Sequence, residues 1–293
     1  MIFSTHVFEM PDSTFVILRN LIHERTGIYY DQCKQDLLAD KLSPRLLEQG
    51  LHSFLDYYYL LKYDTSARQE WQELVNTITV PETFFWREFD QIEVLLQRLI
   101  DRYLEQQKKT GLSYSYGYPL KIWSAACSTG EEPLTIAMAL EEAGWFNRLP
   151  IEIYATDISS RAIAKAKKGL YREHSFRALS PTLKQKYFVS EEQQWRIDPD
   201  LHSRIRWKTA NLLNPDELVL FSNIPFIFCR NVFIYFSPES IQKTVMMFFE
   251  KMPENGYLFL GSSESILKLN TPFKICEINK SFIYVKNQKQ ENG

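Results

Sequence analysis

Residues 121–137, KIWSAACSTGEEPLTIA, constrain the fold more than any other stretch of this chain. They open β-prone with Ile122 and Trp123, pass through small residues from Ser124 to Gly130, and then turn helical. Pro133 suits a first helical turn, where a missing N–H costs nothing. Glu131 and Glu132 put negative charge at the positive end of the helix dipole. Leu134, Ile136, Ala137, Met138 and Leu140 give that helix an apolar side. A strand, a tight turn and a helix predict the first crossover of a doubly wound α/β sheet, in which ligands sit at the carboxyl ends of the strands. One Gly stands where a dinucleotide fingerprint wants three, and no Gly-Lys-Ser/Thr follows for a P-loop. The two glutamates would repel a phosphate and suit a ligand bearing an ammonium or sulfonium group. The plainer alternative is an ordinary turn whose acids are solvated.

The rest of the chain divides around this stretch. Residues 1–85 carry 7 Lys/Arg against 12 Asp/Glu, and residues 86–293 carry 27 against 24. An acidic first unit and a near-neutral second one are expected, with no global field to draw nucleic acid or an anionic membrane. The four cysteines form no C-x-x-C pair, so neither a zinc site nor a disulfide framework is indicated. The start, MIFSTHVFEM, lacks the basic and apolar regions of a signal peptide. Nothing approaches ~18 consecutive apolar residues. A soluble, reduced, cytoplasmic protein without membrane insertion is expected, and a monomer.

Four short helices and no strand signal predict a helical N-terminal domain over 1–85. The first covers 12–26, capped by Asp12 or Ser13 and stopped by Gly27; the second runs from Gln32 to Gln49; Ser53 caps a third and Ser66 begins a fourth. Pro81 then breaks the pattern and Thr83 can cap a new helix, ahead of Phe84, Phe85, Trp86 and Arg87. Arg87 is either an exposed residue stacked on a ring or a fork of donors gripping a carboxylate. A linker helix from Glu88 to Gln107 and a polar connector at 108–119 lead to the α/β domain, 120–293. Strands are predicted at 120–125, 151–157 and 224–231, and a strand and turn at 256–265. The second ends in Asp157, an acid placed to accept ribose hydroxyls or simply to cap the next helix. QWRID and RIRWKTA predict a small antiparallel β-subdomain over 187–210, and FKICEI with SFIYVK a closing hairpin.

Taken together, VPETFFWRE, IWSAACSTGEEP, ATDIS, ANLL and CRNVFIYF, in this order and at these separations, resemble the CheR-type chemotaxis receptor methyltransferases. The resemblance covers nearly the whole chain. It implies a Rossmann-like S-adenosylmethionine (SAM)-dependent methyltransferase domain behind a helical domain. The implied activity is methylation of glutamate side chains on the cytoplasmic helical region of chemoreceptors. By the same resemblance Thr83, Arg87, Ala126, Glu132, Asp157, Asn211, Leu212, Asn231 and Val232 bind the cofactor, and Arg87 and Tyr235 serve catalysis. By the same resemblance the small β-subdomain is where members of the family can bind a receptor C-terminal tail by strand addition, a known mode of peptide capture. Two departures stand out: Pro81 replaces a common Asn, and the N-terminal domain is acidic where receptor-binding members tend to be basic.

The chemistry agrees with this expectation. A glutamate side chain, with a reference pKa of ~4.3, is already ionised near neutrality. It needs no general base, and no His lies in the five motifs. It needs alignment with the methyl–sulfur bond, and orientation can supply ~7–11 kcal/mol. Phe84, Phe85 and Phe233 are expected to make the site partly apolar. The competing readings are a SAM-binding signalling module that docks a partner without methyl transfer, and a nicotinamide-dependent oxidoreductase, which the single-Gly turn disfavours.

Overall fold

A computed structural model describes residues 8–109, 111, 114–115 and 118–286. The chain begins with α1 (Asp12–Thr26), α2 (Gln35–Glu48), α3 (Phe54–Tyr63) and α4 (Arg68–Ile78). Their apolar stripes (Phe15, Leu18 and Ile22; Leu38, Leu42 and Leu46; Trp71, Leu74 and Ile78) close on Phe54 and Tyr57 to form one core. Glu70 is buried in this bundle and satisfied by the Arg45 Nε donor at 3.0 Å and the Tyr57 hydroxyl at 2.5 Å. Ser53 caps α3 as predicted, accepting the Asp56 N–H at 3.1 Å. At α1, however, the cap position is Pro11, with Asp12 already in the first turn and no side-chain cap bond.

No helix starts at Thr83. Residues 79–84 are irregular, and Trp86 (φ 68°) and Glu88 (φ 47°) take left-handed conformations that keep the chain from becoming helical. Helix begins at α5 (Asp90–Val94), passes through a π turn at Leu95–Leu99 and continues as α6 (Ile100–Lys109). Within the connector, residues 110, 112, 113, 116 and 117 lie outside the described residues, as do the chain start and the polar tail at 287–293.

The α/β region follows: β1 (Leu120–Ala125), α7 (Glu131–Glu142), α8 (Trp145–Arg148), β2 (Ile151–Asp157), α9 (Ser160–Lys168), β3 (Leu170–Tyr171), α10 (Pro181–Tyr187), β4 (Phe188–Glu191), β5 (Gln194–Ile197), α11 (Pro199–Ser203), β6 (Ile205–Thr209), β7 (Phe226–Cys229), α12 (Pro238–Lys251), β8 (Tyr257–Leu260), β9 (Lys274–Ile278) and β10 (Ser281–Val285). The main sheet has the order β6-β2-β1-β7-β8-β10-β9. Its first five strands are parallel, and β10 runs antiparallel to both β8 and β9. β1 and β7 lie in the middle, where the strand order reverses, so their carboxyl ends flank the crevice of a doubly wound fold. β7 (FIFC) is a continuous apolar run, and β1 (LKIWSA) is buried at every position but Lys121, as expected of strands covered on both faces.

The predicted small β-subdomain needs correction. QWRI does form β5, the central strand of a three-stranded antiparallel sheet, β3-β5-β4. The second segment, IRWKT, is instead β6, the parallel edge strand of the main sheet, in register with β2 from Ile153–Ile205 to Asp157–Thr209. The excursion therefore draws on residues 170–171 and 188–197 and returns to the main sheet before 205.

Candidate functional site

The loops after β1, β2, β6 and β7 meet under the helical bundle around a cavity of about 270 Å³. Thr83, Arg87, Ala126, Glu132, Asp157, Asn211, Leu212, Asn231, Val232 and Tyr235 all line it. Its other wall comes from the bundle, with Thr26, Ile28, Tyr29, Tyr30, Lys34 and Lys41.

The backbone around the cavity is bent sharply. Ala126 (φ 63°), Ser128 (φ 51°) and Asn231 (φ 59°) join Trp86 and Glu88 in the left-handed region. Each such non-glycine conformation costs on the order of 1–3 kcal/mol and tends to collect at functional sites. Gly130 ends the first loop at φ 99°, and a Cβ there would fall 2.7 Å from the Trp207 ring. That position therefore has to be glycine.

Asp157 stands at the end of β2 and accepts the Ser128 N–H on Oδ2 and the Ser159 N–H on Oδ1, each at 2.8 Å. Burial pushes its carboxyl above the usual range, and those backbone donors pull partly the other way. Each oxygen keeps a further lone pair for a ligand hydroxyl. The predicted helix cap is a separate residue, since Ser159 accepts the Ala162 N–H at 3.1 Å.

Neither acid at the start of α7 is freely solvated. Glu131 turns inward to the hydroxyls of Thr129, at 2.7 Å, and Ser175, at 2.9 Å. Glu132 faces the cavity, accepting from Ser124 Oγ at 2.7 Å and pairing with Arg230 Nη1 at 3.3 Å. Burial raises the Glu132 carboxyl, and Arg230 and Ser124 counteract it. Arg230 also reaches Glu88, at 3.5 Å. Burial works against the Glu88 charge, but Arg230, the Ser262 N–H and Asn231 together hold its carboxyl below the usual range.

Arg87 donates from Nη1 to the Glu82 carbonyl at 2.9 Å, with its guanidinium 5.6 Å from the Phe84 ring centre. The two expectations for this residue are thus compatible, because it stacks and lines the cavity together. Of the three predicted phenylalanines only Phe84 lines the site. Phe85 is an anchor among Tyr171, Phe176 and Phe188, with ring centres 4.8, 5.3 and 5.0 Å away. Phe233 is buried in the core under α12. Asn211 lines the cavity, yet its amide donates to the Arg25 carbonyl at 2.6 Å and accepts the Leu213 N–H at 3.0 Å. Its side chain braces the bundle against the sheet.

Sequence reasoning missed Arg230 and Glu88 as site groups, and it missed the bundle wall. A charge at the end of an apolar strand was the available sign of Arg230. The bundle wall has no local signal, because its residues reach the cavity only through tertiary packing.

A central sheet with this order, an acid ending its second strand, and a buried carboxylate beside the first loop make a site suited to a nucleoside carrying an amino-acid moiety, and the family match makes its class a SAM-dependent methyltransferase. The chain belongs to the CheR methyltransferase family. The family model for "CheR methyltransferase, SAM binding domain" matches residues 81–282, and that for "CheR methyltransferase, all-alpha domain" matches residues 13–79. Chemotaxis protein methyltransferase 2 of Vibrio cholerae is 31% identical, over 96% of this chain and 95% of its own. Chemotaxis protein methyltransferase 1 of Pseudomonas aeruginosa is 30% identical, over 93% and 97% respectively. The chemotaxis protein methyltransferase of Escherichia coli K12 is 31% identical, over 92% and 91%.

The cofactor is therefore SAM, and the cavity suits it. Glu132 offers a carboxylate to an ammonium, and Asp157 has free lone pairs for ribose hydroxyls. Ser128 Oγ and Arg230 Nε are buried without a hydrogen-bond partner among the described residues. Both belong to residues that line the cavity, so its wall carries polar groups whose hydrogen-bonding capacity the fold itself leaves unused.

Proposed function

We propose that this SAM-dependent methyltransferase modifies glutamate side-chain carboxylates on the cytoplasmic helical region of chemoreceptors, acting in the cytoplasm. The observation that carries this reading is that Arg87 and Tyr235 line the cofactor cavity together while its described lining contains no histidine. A carboxylate is a nucleophile that needs orientation rather than deprotonation.

Bound SAM supplies a methyl group on a cationic sulfur. Everything else falls to the chain. Asp157 holds the ribose end, Glu132 accepts the ammonium, and Thr83, Ala126, Asn211, Leu212, Asn231 and Val232 shape the wall. Arg87 takes the incoming carboxylate with its planar fork. The Tyr235 hydroxyl, at the partly exposed mouth, fixes the second oxygen. Arg87 is itself held by the Glu82 carbonyl, which tempers its grip; binding the ground-state carboxylate too strongly would raise the barrier.

A receptor tail would add to the small sheet along β4, the longer of its two outer strands, where Val189 is exposed. The deciding experiment is transfer of labelled methyl from SAM to a receptor cytoplasmic fragment, followed by mapping of the labelled residues. Base-labile label on glutamates is expected. Label on any other residue type, or none on any chemoreceptor fragment, would refute the reading.

A further inference from the structure

Behind the cavity wall lies a carboxylate that touches no ligand and that the mechanism above does not use. Glu264 sits four residues beyond the end of β8 and is not among the residues lining the cavity. Its Oε1 accepts the N–H groups of Val232 at 2.8 Å, Phe233 at 2.7 Å and Ile234 at 3.4 Å. Its Oε2 accepts those of Asn231 at 2.8 Å and Gly261 at 2.7 Å. One side chain thus satisfies a concave run of backbone donors of the sort that elsewhere binds a free anion.

The run it satisfies is the loop after β7, which turns Asn231 and Val232 into the cavity and leads on to Tyr235. Asn231 is left-handed, at φ 59°. Five donors on one carboxylate, hydrogen bonds to a charged group being the stronger kind, offset the cost of that conformation. The packing leaves no slack. A Cβ on Gly261 would fall 2.7 Å from Asn231 Nδ2 and 2.8 Å from Glu264 Oε2. On the far side, Glu88 accepts Asn231 Nδ2 at 3.3 Å and the Ser262 N–H at 2.9 Å.

We propose that Glu264 is a positioning residue for the cofactor: by gathering the N–H groups of residues 231–234 it holds the left-handed turn that presents Asn231 and Val232 to the cavity. This deepens the assignment of Asn231 and Val232 as cofactor wall and rests on it. It does not depend on the identity of the methyl acceptor. Binding of S-adenosylhomocysteine therefore tests it separately from the glutamate reading.

The test compares the full-length parent with Glu264→Ala and Glu264→Gln by calorimetric titration with S-adenosylhomocysteine, amide hydrogen exchange, and KM for SAM. Glu264→Ala should bind the product at least tenfold more weakly and raise KM for SAM. Its amides at 232–234 should exchange faster while those of β7 and β8 keep parental protection. Glu264→Gln should fall between Ala and parent, because one amide oxygen can serve only one side of the donor run. A residue that merely stabilised the fold would lower the melting temperature and leave the affinity of the folded protein unchanged. That outcome, or loss of exchange protection spread evenly over β7, β8 and the loop, overturns the proposal. Should Glu264→Ala fail to fold, the same criteria apply to Glu264→Gln.

Discussion

Arg230 Nη2 donates to the main-chain carbonyl of Arg87 across 2.6 Å. The loop that carries Arg87 is thereby fastened to the end of the central strand by its backbone, independently of its own side chain.

Replacing the Arg87 side chain should consequently leave the loop in place. Arg87→Ala is expected to fold and, since the resemblance also places Arg87 against the cofactor, to bind S-adenosylhomocysteine more weakly, an effect that assay at saturating SAM removes. Losing a charge-assisted hydrogen bond of about 1.5–3 kcal/mol should lower methyl transfer roughly ten- to a hundredfold. Arg87→Lys should recover only part, since a point charge lacks the fork. Labelled-methyl transfer at saturating SAM decides the matter. Near-parental turnover in Arg87→Ala would remove this residue from the mechanism and leave Tyr235 as the main orienting group.

Asp157 holds two backbone N–H groups and, in the proposed reading, the ribose, and its variants should separate the two. On its ribose contact, Asp157→Ala should weaken S-adenosylhomocysteine binding by about 1.5–3 kcal/mol, roughly ten- to a hundredfold. Its position at a strand end suggests that the fold is indifferent to the change, but the N–H groups of Ser128 and Ser159 depend on this carboxylate. A stability loss of about 1–3 kcal/mol is therefore expected as well, read by denaturant titration. Parental affinity in the folded variant would exclude the ribose contact.

Acid should weaken cofactor binding earlier than an ordinary glutamate would dictate. Burial raises the Glu132 carboxyl, with Arg230 opposing, so its charge is lost at a higher pH than the free value of ~4.3. Affinity for S-adenosylhomocysteine should fall as pH drops through that raised value, and Glu132→Gln should show a lower, flatter profile. For folding without ligand the sign is reversed. The raised Glu131, Glu132 and Asp157 carboxyls favour the fold when protonated, a contribution present below the unfolded pKa and lost as pH rises through the folded one. Calorimetric titration across pH checks the first statement, and thermal melts across the same range check the second.

Cys127 should be inert. It is buried, and burial, with Asp157 adding to it, pushes its thiol well above the usual range. Alkylating reagents should leave it unmodified in the folded protein, and Cys127→Ala should retain methyl transfer within a few-fold. Complete loss of activity with unchanged cofactor binding would point to a covalent step through sulfur.

Where local chemistry determines structure, the sequence was legible. β1 and β2 occupy the predicted 120–125 and 151–157, because apolar runs bounded by small or turn-forming residues leave few alternatives. Eight of the ten residues named from motif resemblance line one cavity because the doubly wound topology brings together the ends of β1, β2, β6 and β7 and the segments that follow them, while Thr83 and Arg87 reach it from the irregular segment before α5. IRWKT was legible as a strand but not as a member of the main sheet. Alternation reports a half-buried strand, and an edge strand of either sheet is half-buried. Phe85 and Phe84 look alike in sequence, and only tertiary packing sends one into the core and leaves the other at the cavity. Glu264 falls in a predicted turn, and nothing local marks its role, since four of its five donors come from a loop some thirty residues earlier.

The bundle is joined to the catalytic region by an antiparallel bridge between Ile28 and Phe236, with the Tyr29 N–H donating to the Tyr235 carbonyl at 2.9 Å. Beside it, His23 Nε2 contacts the Ser237 and Ser240 hydroxyls at 2.8 and 3.0 Å. The stitch falls on the residue expected to orient the substrate, so the helical domain is not an interchangeable docking module. A chimera that takes this bundle from a relative to redirect receptor choice would also replace one side of the cofactor chamber and the backbone clasp on Tyr235. Partner choice and turnover would then change together, unless the segment around residue 28 and the segment around residue 236 were transplanted as a matched pair.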